Sequence, residues 1–313
     1  MDPAKSSVIS TRGLTKDYGS VLALDDLTLE IGPGITGLVG ANGAGKSTLI
    51  KILLGLVMPT SGTSSVLGLD VATGSAAIRA RVGYLPEHDC LPPDVSASDF
   101  VVHLAMMSGL PRVAARERAA EVLRHVGLAE ERYRPMGGYS TGMKQRVKLA
   151  QALVHDPDLV LLDEPTNGLD PAARDDMLGL VHRVGEDFGI SVLVTSHLLG
   201  ELERVSDHVV ILDTGRLLRS SETREFLDAT GTLLVEVLGP GESNQSAQAR
   251  MGQALAAAGV PVQPRGGLLA LDPDPDSRMD IHDLIRDTAF DIGVGLVRIQ
   301  ADHRRIEDVF ADG

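Results

Sequence analysis

Apolar and polar positions follow several rhythms along this chain. Leu22–Ile31 alternates them with period two, the pattern of an antiparallel strand, and Ser7–Ser10 reads as a shorter strand before it. Ile35–Val39, Val82–Leu85, Leu159–Leu162 and Ser191–Thr195 are short apolar strands. The unbroken Leu159–Leu162 run is the form expected of a parallel strand buried on both faces. Apolar residues at three- and four-residue spacing predict helices over Asp99–Ser108, Arg112–Val126 and Met143–Val154, a helical block inserted between strands. Further helices are predicted over Ser47–Leu56, over Ala172–Phe188 with Pro171 near its start, and over Leu198–Arg204. Pro59-Thr60-Ser61-Gly62 reads as a turn, followed by a short strand over Ser64–Leu67. Val209–Leu212 and Arg216–Leu218 form a hairpin around Asp213-Thr214-Gly215.

The pattern changes style past Ser221. Strands over Leu233–Leu238, Val260–Val262, Leu268–Leu271 and Gly295–Ile299 alternate with helices over Gln245–Ala258 and Asp280–Phe290. This β-α-β-β-α-β order suggests a small ferredoxin-like module. Asp272-Pro273-Asp274-Pro275-Asp276 reads as an exposed loop.

Composition narrows the class. The chain has 313 residues, 43% hydrophobic and 23% charged, which suits a globular protein of one large domain or two smaller ones. Its formal net charge of -14, with no run of Lys or Arg, argues against nucleic acid as a partner. The single cysteine, Cys90, excludes an internal disulfide and a cysteine metal cluster and fits a reducing cytoplasm. Met1–Thr15 lacks the apolar stretch of a signal peptide, and no apolar run is long enough to span a bilayer.

The chemistry begins at Gly40-Ala41-Asn42-Gly43-Ala44-Gly45-Lys46-Ser47-Thr48, which fits the phosphate-binding pattern G-x-x-x-x-G-K-[ST] between a predicted strand and a predicted helix. Glycines let the backbone approach phosphates, and the helix N-terminus adds partial positive charge. Lys46 would reach the β- and γ-phosphates, and the Ser47 hydroxyl would bind Mg²⁺. Leu159–Leu162 ends in two carboxylates. Asp163 would help hold Mg²⁺, and Glu164 is the natural base for an attacking water; the plain alternative is an exposed acidic turn. Tyr139-Ser140-Thr141-Gly142-Met143-Lys144-Gln145-Arg146 opens a strong helix and would make an anion site or an ordinary cap.

Together these segments resemble, in kind and in order, the ATP-binding cassette (ABC) ATPases over roughly residues 7–220. The resemblance makes 140–146 the signature motif, with Ser140 and Gly142 as ATP contacts. It makes Tyr18 an adenine-stacking aromatic, and Gly83-Tyr84-Leu85-Pro86-Glu87 the Q-loop, with Glu87 near Mg²⁺. Gly168-Leu169-Asp170 becomes the D-loop and His197 the switch histidine. Glu87 stands where glutamine is usual, and Thr141 and Met143-Lys144 depart from the commonest signature. Such variants resemble the ABC-2-type drug and antibiotic exporter branch, as does the ending Arg305-Ile306-Glu307-Asp308-Val309-Phe310.

The resemblance implies an α/β fold: a P-loop NTPase core with a mostly parallel sheet, an antiparallel β subdomain and an inserted helical subdomain at about 88–155. Residues 221–313 would form a C-terminal accessory α+β module with a regulatory or dimerisation role. It further implies ATP and Mg²⁺ as ligands, and head-to-tail pairing with a second copy or a homologue. A separate integral-membrane permease would dock at the inserted helices and the Glu87 loop. The chain would then sit in the cytoplasm, attached to the inner face of the membrane through that permease. The alternative is a soluble ABC ATPase acting on ribosomes or nucleic acid. Such proteins usually carry paired cassettes, coiled-coil insertions or basic arms, which this sequence lacks.

Overall fold

The computed structural model describes residues 7–223, 232–239, 243–272 and 281–301. The chain divides into two compact units, with the boundary between Thr223 and Arg224.

The first unit is built around a six-stranded sheet. Its strands are β3 (Ile35–Val39), β6 (Val82–Leu85), β7 (Leu159–Leu162), β8 (Ser191–Ser196), β9 (His208–Asp213) and β10 (Arg216–Glu222), in the order β10-β9-β3-β8-β7-β6. All neighbours pair in parallel except the β9–β10 hairpin at the edge. Every residue of β3 and β7 is buried, which is why these strands read as unbroken apolar runs. In an open parallel sheet, the loops beyond the C-terminal strand ends are where ligands bind. Four motifs of the sequence follow the C-terminal ends of β3, β6, β7 and β8 in this way.

A second, antiparallel sheet has the order β2-β1-β4-β5, from β1 (Ile9–Asp17), β2 (Leu22–Ile31), β4 (Ser61–Val66) and β5 (Leu69–Asp70). Its β2 side chains Leu24, Leu27 and Leu29 join Leu49, Ile50 and Leu53 of helix α1 (Lys46–Leu53) in one buried cluster. The β1–β2 turn carries Tyr18.

Between adjacent strands β6 and β7 the chain inserts helices α3 (Ala97–Met107), α4 (Arg112–His125) and α5 (Thr141–Leu153). Ser96 and Ser140 cap α3 and α5 by accepting from the N–H groups of Asp99 and Met143. Helix α5 lies so close to β6 that a Cβ on Gly83 would sit 2.0 Å from the Ala152 carbonyl oxygen. Only glycine allows that approach. Helix α6 (Pro171–Glu186) starts on an Asp170 cap with proline in its first turn, and α7 (Leu199–Leu202) is a single turn after β8.

Several boundaries differ from the sequence reading. Strand β1 runs on to Asp17, because its Arg12, Lys16 and Asp17 lie on a sheet that pairs on both sides and need not alternate strictly. Ser61 and Gly62, read as a turn, are the first residues of β4. A helix absent from the sequence reading, α2 (Val71–Arg81), buries only Val71 and Ile78, too few apolar positions to show a stripe.

The second unit contains β11 (Leu233–Leu238), α8 (Asn244–Ala257), β12 (Val262–Arg265), β13 (Leu268–Leu271), α9 (Ile281–Asp291) and β14 (Gly295–Ala301). The sheet order β12-β13-β11-β14, antiparallel throughout, is that of a ferredoxin-like module. Its core joins Val235 and Val237 to Met251, Leu255, Ile285 and Ala289. Strand β12 is Val262–Arg265 rather than Val260–Val262, since Val260 closes the α8 turn through its N–H to the Leu255 carbonyl. The loop 273–276 and the ending 305–310 lie outside the described residues.

Candidate nucleotide site

The loop 40–45 leaves β3 and turns into α1 with Gly43 and Gly45 at positive φ. Gly45, at φ 101°, is the position where the loop can least accept a side chain: a Cβ there would lie 2.5 Å from the Ala23 carbonyl oxygen. Lys46 follows as the first helical residue and is buried. Its Nζ donates to the Gly40 carbonyl at 2.6 Å and the Ala41 carbonyl at 3.3 Å. The ammonium is thus folded back over the loop whose N–H groups would meet phosphate.

The same ammonium lies 3.2 Å from Glu164 Oε1. Glu164 stands just past the end of β7 in the left-handed region, at φ 49°, a costly conformation for a residue with a Cβ. Two bonds fix that kink. The Glu164 N–H donates to Thr195 Oγ1 at 2.9 Å, and the Asn167 N–H donates to the Glu164 carbonyl at 3.1 Å. Its other carboxylate oxygen, Oε2, accepts from His197 Nδ1 at 2.9 Å. A carboxylate only accepts, so Nδ1 is the donor in this bond.

Asp163, at the tip of the strand, is buried. Its Oδ1 accepts from Ser47 Oγ at 3.2 Å and from Thr195 Oγ1 at 3.0 Å. Burial pushes the Asp163 carboxyl above its ordinary range, with the Thr195 and Ser47 hydroxyls opposing that push. Tyr84, on neighbouring β6, is raised to about 12, chiefly by burial and then by the Asp163 charge.

A cavity of about 430 Å³ opens over this cluster. Its walls are Tyr18, the loop residues Ala41–Thr48, Glu87 and Glu164, with Val21 and Ala23. Tyr18 is half exposed at the rim, with the Lys16 ammonium 4.9 Å from its ring centre. Glu87 Oε1 accepts from Asn167 Nδ2 at 3.4 Å, so the Glu87 loop touches the segment that follows Glu164.

Ser140 and Gly142 lie elsewhere. They do not line the cavity; Ser140 is exposed, and Gly142 sits beside Leu169 and Ala173. The structure therefore brings Lys46, Ser47, Asp163, Glu164, His197 and Glu87 together with Tyr18 at the rim, and leaves the 140–146 motif outside.

The donor set fits a hard cation. Ser47 Oγ and the Asp163 carboxylate are adjacent oxygens that would serve as ligands, and Glu164 Oε1 is buried with no hydrogen bond beyond its ion pair with Lys46. Among the described residues no cluster of three or more His, Cys, Asp or Glu forms a closed metal cage. Mg²⁺ needs none, because it is held by one or two carboxylates together with substrate phosphates.

One network escaped the sequence reading. Glu201, nearly buried on α7, accepts from Thr166 Oγ1 at 2.7 Å and Ser196 Oγ at 3.1 Å, and Arg174 Nε lies 3.0 Å away. It ties the segment after Glu164 to the residue before His197. A lone glutamate in a short helix gives no sequence signal of this.

Comparisons with known proteins show the family. The profile of the family described as ABC transporter matches residues 24–167. The chain is 40% identical over 214 residues to the bacitracin transport ATP-binding protein BcrA of Bacillus licheniformis, covering 68% of this chain and 69% of that protein. It is 35% identical over 233 residues to the daunorubicin/doxorubicin resistance ATP-binding protein DrrA of Streptomyces peucetius, covering 74% and 70%. A solved ATP-binding subunit of an ABC transporter superposes with a TM-score of 0.63 at 30% identity, covering 72% of this chain and 94% of that one. A dimeric ATP-binding cassette in a post-hydrolysis state with ADP and Pi shares the fold, with a TM-score of 0.63 at 24% identity over 69% of this chain and 99% of that one. With its P-loop, strand-end carboxylates and histidine gathered beyond the C-terminal ends of β3, β7 and β8, this chain belongs to the ATP-binding proteins of the ABC transporter family.

Proposed function

We propose that this chain is the ATP-hydrolysing subunit of an ABC-2-type exporter, and that each of its ATP sites is completed by the signature motif of a second ATPase subunit. One observation carries the reading: Lys46, Ser47, Asp163, Glu164 and His197 come from three separate strand ends and close on each other within 3.3 Å.

The loop N–H groups and Lys46 bind the phosphates of ATP, and Tyr18 offers its ring to the adenine. Ser47 and Asp163 would hold Mg²⁺, which would supply charge neutralisation to the phosphates. Glu164 accepts the proton of the attacking water as its oxygen bonds to the γ-phosphorus and the bond to the β-phosphate oxygen breaks, giving ADP and phosphate. His197, already donating to Glu164 through Nδ1, presents its Nε2 edge to the γ-phosphate, to which it donates as the imidazolium, protonated on both nitrogens. Donors aimed at the transferring group stabilise its transition-state charge. Ser140 and Gly142 face outward and meet the γ-phosphate in the partner's site, so ATP joins the two subunits and hydrolysis releases them.

The names of the relatives support the exporter reading. They include bacitracin transport, drug resistance and, at 35% identity, a Nod factor export ATP-binding protein from Cupriavidus metallidurans. A dimeric bacterial ABC transporter cassette of the same fold, with a TM-score of 0.63 at 25% identity, supports pairing. Among the described residues no helix is long and apolar enough to cross a membrane, so translocation calls for a separate permease. Co-purification from membranes with a polytopic protein, and ATPase activity stimulated by it, is the expected result. Recovery with ribosomes or nucleic acid instead would overturn the exporter reading.

A further inference from the structure

Lys148 is an anomaly in α5. Lysine is among the residues least often fully buried, yet this one is 3% exposed. Its Nζ donates to three consecutive backbone carbonyls: Pro86 at 2.7 Å, Glu87 at 3.0 Å and His88 at 3.4 Å. Burial pulls its pKa down, opposed by the charges around Cys90, Asp89, Glu87 and Asp163. One turn earlier on the same helix face, Lys144 pairs with Asp89 at 2.6 Å. Two lysines of α5 therefore hold four consecutive residues, 86–89.

The two ends of this grip have different fates. The loop carries Glu87 into the wall of the nucleotide cavity. The helix begins at Ser140 and Gly142, outside that cavity. A rigid helix pinned to the loop cannot shift its first turn without pulling on Glu87. We propose that Lys148, assisted by Lys144, is a positioning residue that locks the Glu87 loop to the signature helix, so that the state of one subunit's own ATP site sets the placement of the motif it offers to its partner. This rests on the ATPase reading above.

The lone cysteine supplies the probe. Cys90 is exposed and directly follows the gripped residues. Its modification by a maleimide, in the full-length protein and without nucleotide, reads the freedom of the loop. Lys148→Met keeps the chain length and removes all three donors. Expected are about fivefold faster labelling, ATP affinity within about threefold of wild type, and kcat lowered about tenfold, a loss confined to turnover. Loss of the lysine charge alone raises the thiol pKa and slows labelling, so acceleration reports release of the loop. Unchanged labelling and kcat in a folded Lys148→Met protein would overturn the proposal.

Should that variant not fold, Lys144→Ala carries the test, since this side chain is partly exposed and only one ion pair is lost. About twofold faster labelling is expected there, and an unchanged rate overturns the lock. A wild-type protein that hydrolyses no ATP would defeat the enzymatic reading instead, while the labelling rates would still decide whether the lysines hold the loop.

Discussion

The two ends of the ATPase chemistry in this chain are built in opposite ways. Around the cavity Lys46, Asp163 and Glu164 are buried, and with half-buried Ser47 and the exposed His197 they are bonded to one another: ammonium to carboxylate, carboxylate to imidazole, hydroxyl to carboxylate. At the start of α5, Ser140 is exposed, its hydroxyl caps its own helix, and the first turn does not line the cavity. A set of buried charges is stable only when its members satisfy each other, and this one is complete within one chain. The helix start has no such closure. On the proposed reading, the difference means that hydrolysis is prepared inside the subunit and permitted from outside it.

The largest effect should come from breaking the buried half at its base. Glu164→Gln keeps the shape but accepts no proton, so steady-state phosphate release should fall about 10²- to 10⁴-fold while ATP still binds and a dimer accumulates in size-exclusion chromatography. Turnover at the native rate would remove Glu164 from that role. Next comes Lys46→Ala, which deletes a charged donor to phosphate. Nucleotide affinity should drop about 10- to 100-fold in a fluorescence titration, and unchanged affinity would sink the assignment of the loop.

The exposed half should respond differently. A Cβ on Gly142 meets only ordinary contacts, 3.6 Å to Ala173 and 3.9 Å to Leu169, so Gly142→Asp fits the fold while placing a negative charge where the partner's phosphate would lie. Turnover should fall about tenfold or more by charge repulsion, with the affinity of the isolated subunit for ATP unchanged. An equal loss of affinity would erase the contrast between the halves.

The smallest effect concerns the far end of α5. His155 Nε2 donates to the Val82 carbonyl at 3.2 Å, and burial holds its pKa below 6.5. A depressed folded pKa means the unfolded chain binds the proton more readily. Stability is therefore present above pH 6.5 and lost as pH falls toward the folded value. His155→Gln should flatten this acid loss in thermal unfolding below pH 6.5, leaving the neutral melting point little changed.

Much of the buried half was legible in the sequence. The run Leu159–Leu162 predicts a doubly buried strand, and its abrupt end in Asp163-Glu164 marks a strand tip that the structure places beside Lys46. The helices α3, α4 and α5 were legible from their spacing. What escaped lacks periodicity or acts across the chain. Strand β4 is Ser-Gly-Thr-Ser-Ser-Val, polar because only Ser64 and Val66 turn fully inward. The bonds of Glu201 and Lys148 join residues tens of positions apart, and the sequence offers no spacing to reveal them. The accessory module was legible as an element order, which its sheet order matches.

The central claim, that one ATP site takes its two halves from two copies, is tested most directly by mixing two impaired proteins. Lys46→Ala has a dead phosphate loop and an intact signature. Gly142→Asp has the reverse. In a head-to-tail mixed dimer one of the two sites is wholly native, and random pairing makes half the dimers mixed. The account predicts ATP hydrolysis in the equimolar mixture at about a quarter of the wild-type rate, far above either variant alone. A mixture no more active than its separate components would contradict it.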